Sequence, residues 1–207
     1  GRGRGWWAAG LSWRIVAYFA AIGTAFMFVE IAFIQKFILF LHHPLYAVAV
    51  VLCAFLVFAG LGSLVSARWR NKYEASVTDI RVSRWRLDQA PGIWVSGAIG
   101  GLAVLYVLLL PGLFSELNYL PGAFKLPLSV LLIAPLAFLM GMPFPLGLEV
   151  VSSKFPSWIP WAWGINGCAS VVSAILATLL AIHLGFVVVV LVAVVLYVLA
   201  ALVLPRQ

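Results

Sequence analysis

Between residues 161 and 204 the sequence contains no Asp, Glu, Lys or Arg. A single straight helix of that length would reach about 65 Å, roughly twice the 30 Å hydrocarbon thickness of a bilayer. The stretch must fold back on itself, and His183-Leu184-Gly185 is where it can do so. Apolar runs of membrane length recur through the rest of the chain, and none has the strict alternation of a barrel strand. The sequence therefore predicts an all-α, polytopic membrane helical bundle in one transmembrane domain.

Composition agrees. Of 207 residues, 65% are hydrophobic and 9% charged, against about 25% charged in a soluble domain. Mean hydropathy is +1.13. Six spans are expected at about residues 11–41, 44–67, 92–110, 126–142, 161–182 and 186–204. His42-His43-Pro44 makes the first turn, with Pro44 suited to open the second span. Pro111-Gly112 is read as the end of the third span. Pro135 is read as a kink in the fourth, and Gly141-Met142-Pro143-Phe144-Pro145 as its stop, followed by a short interfacial helix from Pro145. The fifth span is rich in small residues and is expected at the protein-surrounded centre. The sixth, Val- and Leu-rich, is expected against lipid.

The net charge of +7 is read as a topology signal rather than a nucleic-acid footprint. Arg2, Arg4, Arg14, the basic loop at 68–88, Lys154 and Arg206 fall on one side of a six-span arrangement, and Lys36 and Lys125 on the other. The positive-inside rule makes the first side, with both termini, cytoplasmic. Tryptophans 6, 7, 13, 69, 85, 94, 158, 161 and 163 map to the same end, as interfacial residues should. The expected location is the inner (cytoplasmic) membrane of a bacterium. The expected partners are the lipid bilayer, other membrane subunits, and anionic headgroups at the 68–88 loop, where residues 77–82 read equally as a strand or an interfacial segment. A chain opening on Gly1 reads as a processed product or a piece of a longer polypeptide.

Polar residues inside apolar spans are the functional candidates, because each needs a partner, a cavity or the interface. Glu30, Gln35, Lys36 and Asn166 form the candidate intramembrane polar site. Glu30 reads either as a cation, polyamine or proton ligand, or as half of a structural pair with Lys36 or a hydroxyl. Lys36 is six residues on, off the ideal i+4 face. Asn166 is expected to make an interhelical hydrogen bond. His42, His43, Glu116 and His183 form a candidate outer-face patch, read as a headgroup-level turn rather than a metal site. Gly60, Gly62, Gly97, Gly101, Gly164 and Gly167 are read as helix-packing positions, with Gly97 and Gly101 in GxxxG register. Cys53 and Cys168 are read as small packing residues. No Ser/His/Asp set, HExxH, paired carboxylates or CxxC is present, so no self-contained catalytic, cofactor or metal site is expected.

Three passages carry a family likeness. They are Phe28-Val29-Glu30-Ile31-Ala32-Phe33-Ile34-Gln35-Lys36-Phe37 running on through His43-Pro44-Leu45-Tyr46-Ala47 to Gly60-Leu61-Gly62-Ser63-Leu64; Met140-Gly141-Met142-Pro143-Phe144-Pro145; and Ala162-Trp163-Gly164-Ile165-Asn166-Gly167-Cys168-Ala169-Ser170. Together they resemble the membrane half of bacterial spermidine synthase-like membrane proteins, in which a Rossmann-type aminopropyltransferase-like domain is fused to membrane helices. The resemblance implies a membrane module without the transferase, because the family's glycine-rich cofactor loop and amine-binding acids are missing here. Gly60-Leu61-Gly62-Ser63 ends a span rather than joining strand to helix. Three readings follow: a non-catalytic subunit or anchor of a larger assembly; a transporter or channel half for a polyamine or other cation with Glu30 in the pathway; or the membrane part of an enzyme whose catalytic domain lies outside this chain.

Overall fold

A computed structural model describes the chain at residues 4–77 and 90–203. Every regular element in it is helical: α1 (Arg4–Leu41), α2 (Pro44–Val77), α3 (Ala90–Leu117), α4 (Gly122–Met140), α5 (Pro143–Lys154), a 3-10 turn (Pro156–Trp158) and α6 (Ile159–Val203). Five segments are long and apolar enough to cross a membrane: Trp13–Leu41, Pro44–Arg68, Gly92–Leu117, Gly122–Ser153 and Pro156–Val203.

The last of these doubles back. Near its start, Asn166 and Ser170 of α6 lie against Gly23 of α1, and Ser173 Oγ donates to Thr24 Oγ1 at 2.9 Å. Phe186 lies against Phe33, much further along α1, with ring centroids 6.1 Å apart. Yet Val203 has returned to the beginning of α1, where its carbonyl accepts from Arg14 Nε at 3.0 Å. The direction reverses at Gly185, whose φ of 81° and ψ of 171° are non-helical. That conformation is essentially open only to glycine. The break expected from length alone thus falls on the expected glycine, and α6 is a hairpin of two arms packed along α1.

This places α1, not the small-residue arm of α6, at the centre. In its membrane-length window 56% of residues are buried, against 22–33% in the other four. Its aromatic residues fill the core, with Phe19, Phe33 and Phe37 all buried. The first arm of α6 buries Ala162, Ser173, Ala177 and Ala181 against the bundle but turns Val171, Val172, Ile175, Leu179 and Ile182 outward. Its small residues let it lie close to α1 on one face, while the opposite face is aliphatic. The second arm buries Val189, Val190, Ala193, Tyr197 and Ala200 and exposes Val195, Val198, Leu199 and Leu202.

Helix ends differ from expectation at α2, α3 and α5. α2 runs on to Val77, because residues 68–77 contain no Gly or Pro and include several good helix formers. The short strand or interfacial segment considered at 77–82 lies outside the described residues beyond Val77. Pro111 does not end the third span; it sits inside α3. A proline forfeits its own N–H bond and strains the preceding turn, and membrane helices absorb that locally. α4 does stop at Met140, but the next helix begins at Pro143 rather than Pro145. Both prolines occupy its first turn, where a missing N–H is tolerated.

α2 crosses α4 at a reciprocal contact. A Cβ on Gly62 would collide with the Phe138 carbonyl, and a Cβ on Gly141 with the Ala59 carbonyl. Neither backbone could approach so closely with a larger residue. Gly147 of α5 is similarly seated on the Tyr18 ring, whose hydroxyl donates to the Pro143 carbonyl at 2.6 Å. The Tyr106 hydroxyl of α3 donates to the Leu132 carbonyl, in the turn before Pro135 of α4.

Candidate functional site

The structure separates the residues grouped as an intramembrane polar site. Glu30 lies on the buried helix α1 and is 3% exposed. Among the described residues its carboxyl group makes no hydrogen bond and no ion pair. It does not pair with Lys36, whose Nζ lies 5.5 Å from the Phe186 ring centroid. Six residues carry a side chain to a different face of the helix, and that turn takes Lys36 toward the α6 hairpin. Gln35 is half-buried and makes no hydrogen bond among the described residues.

Asn166 is on α6, against α1 at the level of Gly23, well below Glu30. A Cβ on Gly23 would come within 2.7 Å of its carbonyl oxygen and 2.8 Å of its Oδ1. The interhelical hydrogen bonds at this level are made instead by Ser170, one turn further along α6, whose Oγ donates to the Gly23 carbonyl at 3.4 Å, and by Ser173, two turns along, with Thr24. Gly23 has no spacing partner in the sequence that would have marked it. The Tyr197 hydroxyl is buried and has no hydrogen-bond partner among the described residues.

Of the glycines expected to pack helices, only Gly62 is in close contact. At Gly60, Gly97, Gly101, Gly164 and Gly167 nothing lies within 4 Å of where a Cβ would be. These five point away from the bundle, so the expectation of packing within this chain is corrected for them. Gly100, between the two GxxxG positions, is the one that meets α6, 3.3 Å from a Val194 methyl. Cys53 and Cys168 are also exposed rather than packed.

The other polar grouping lies where α1 meets α2 and α3 meets α4. His42 Nε2 is 2.9 Å from Asn118 Oδ1, and Lys125 Nζ donates to the same oxygen at 3.1 Å and to the Phe40 carbonyl at 3.2 Å. Lys125 is 5% exposed. Phe40 lies in the last turn of α1, where carbonyls lack intrahelical donors, so Lys125 caps that helix. Of the patch expected from sequence, His42 joins this network. His43 is exposed and packs edge-on to Tyr46 with centroids 5.6 Å apart, and Glu116 and His183 are exposed. Among the described residues no three His, Cys, Asp or Glu side chains group as metal ligands. Lys125 and Asn118 were missed as partners because Phe40 and His42 approach them only through the tertiary fold.

No family model matches the chain, and neither the curated proteins nor the solved structures contain a significant match to it.

Proposed function

We propose that the chain is a non-catalytic membrane module of a larger assembly. The observation that carries this reading is the set of outward glycines on three helices, Gly60 on α2, Gly97 and Gly101 on α3, and Gly164 and Gly167 on α6, each with open space around it. Small residues on a membrane-facing surface permit close approach by another helix, and this fold does not use them internally. In this reading the chain crosses the membrane six times, the two arms of α6 counting separately. Both termini and the 68–88 loop are then cytoplasmic, in the inner membrane of a bacterium. The resemblance to spermidine synthase-like membrane proteins makes an aminopropyltransferase-like domain one partner to test for.

A transport pathway through Glu30 is the competing reading, and it would need water to reach that carboxylate. The test is photo-crosslinking from benzophenone-labelled Cys substituted for Gly97, Gly101 or Gly167, with Leu108 and Leu131 as outward controls, all in a chain whose exposed native Cys53 and Cys168 are replaced by Ser. Discrete protein adducts from the glycine positions, identified by mass spectrometry after gentle-detergent purification, are expected. Lipid adducts alone at all five positions would overturn the reading.

A further inference from the structure

A cleft of about 240 Å³ opens between the ends of α1 and α3, lined by Lys36, Leu39 and Phe40 from the first and Pro111, Phe114, Ser115 and Asn118 from the region of the second. Its polar chemistry is one-sided. An ammonium can only donate, so the Asn118 atom that meets Lys125 must be the amide oxygen. His42 Nε2, which meets the same oxygen, must then carry a proton and donate. With Oδ1 held by two donors, the orientation of the Asn118 amide is fixed. Its NH₂ group is left without a partner among the described residues.

Lys36 at the cleft has no hydrogen-bond acceptor among the described residues; its contact is the face of Phe186. Lys125 behind it uses two of its three donors on neutral oxygens. Neither lysine has a carboxylate partner among the described residues, and Glu116, exposed on α3, does not line the cleft. Ser115 commits its proton to the Gly112 carbonyl at 2.7 Å and so adds a neutral wall. Lys36 lines the cleft, and the almost wholly buried Lys125 lies one hydrogen bond behind its Asn118 wall and over the Phe40 ring, 5.1 Å from the centroid. Two positive charges thus lie in or beside it with only neutral oxygens and aromatic faces as partners among the described residues. Charges withdrawn from water need a counter-charge nearby.

We propose that this cleft binds a phosphate-bearing anion, with Lys36 and the Asn118 amide as direct contacts and the buried Lys125 ammonium supporting them from behind. The phosphate is either the headgroup of an anionic lipid, whose depth the helix ends share, or the free inorganic ion.

The experiment uses the full chain in neutral detergent micelles. Dioleoyl-phosphatidylglycerol is titrated with dioleoyl-phosphatidylcholine as control, adducts being counted by native mass spectrometry. Sodium phosphate is titrated separately and read by phosphorus NMR line broadening. Loss of one charge-assisted contact is expected to weaken binding about tenfold in Lys36→Gln. Ser115→Glu, which places an acid at the opposite wall, should weaken it at least as much. Each variant should elute as the wild type does on size exclusion. Phosphatidylglycerol binding that inorganic phosphate does not displace identifies a lipid site; binding of phosphate itself identifies a free-anion site. Binding unchanged in both variants would place the anion elsewhere, for instance at the 68–88 loop, and would overturn the proposal. So would the failure of both probes to bind the wild type.

Discussion

Two groups of glycines in this chain look alike in sequence and behave oppositely in structure. Gly62 and Gly141 are wedged where α2 crosses α4, each facing a carbonyl of the other helix, whereas Gly97 and Gly101, which hold the GxxxG spacing, face open space. The difference is one of phase. A glycine packs only if its face of the helix is turned toward a neighbour, and spacing fixes which glycines share a face without saying where that face points. Gly100, one residue from Gly101, is the one that faces α6.

The contrast can be broken by adding atoms. Gly62→Val and Gly141→Val should each destabilise the bundle by about 3 kcal/mol or more, since backbone rather than a flexible side chain blocks the space. Unfolding in dodecyl sulfate mixed micelles, followed by circular dichroism, gives the number. Losses below about 0.5 kcal/mol would mean that the crossing is not tight. Gly185→Ala tests a different constraint, because Gly185 has open space around it and yet a left-handed φ of 81°. A non-glycine residue there should cost about 2 kcal/mol. An effect as small as that of Gly97→Ala would show that the α6 hairpin does not depend on this conformation.

The tyrosines repeat the comparison for a polar group. Tyr106 and Tyr197 are both buried, but only the first has a hydrogen-bond acceptor, the Leu132 carbonyl, among the described residues. Tyr106→Phe should lose about 1 kcal/mol, while Tyr197→Phe removes an unsatisfied hydroxyl and should be neutral or stabilising. Equal losses in the same unfolding assay would show that the Tyr197 hydroxyl has a partner after all.

What could be read from sequence follows the same physical division. The reversal at Gly185 was legible because length against bilayer thickness leaves no alternative. The helical class was legible because hydrophobicity and run length determine it. The central position of α1 was not, because small residues mark where a helix can be approached closely, and aromatic side chains can fill a centre equally well. Pro111 was read as a terminator by a rule drawn from water, where a lost bond is readily replaced by solvent; here α3 continues through it. Glu30 and Lys36 stand out in sequence because an ionisable side chain inside an apolar run needs a partner, a cavity or the interface. The Lys125–Asn118–His42 network was invisible, because it joins two turns that lie far apart in the chain.

The smallest expected effect is the most informative about function. Gly97→Ala and Gly101→Ala add a methyl group into open space and improve helix propensity by up to about 1 kcal/mol each. In the isolated chain they should therefore leave stability unchanged or slightly raised. If the outward glycines serve a partner helix, the same substitutions should reduce the yield of the crosslinked adduct formed from Gly167→Cys on the unaltered α6 only when one partner spans both faces, and should reduce the α3 contact in every case. A double variant, Gly97→Ile with Gly101→Ile, read by co-purification of the partner beside an unfolding curve, separates the two effects. Lost association with retained stability is the expected pair of results. Retained association would mean that α3 faces lipid, and the module reading would then rest on α2 and α6 alone.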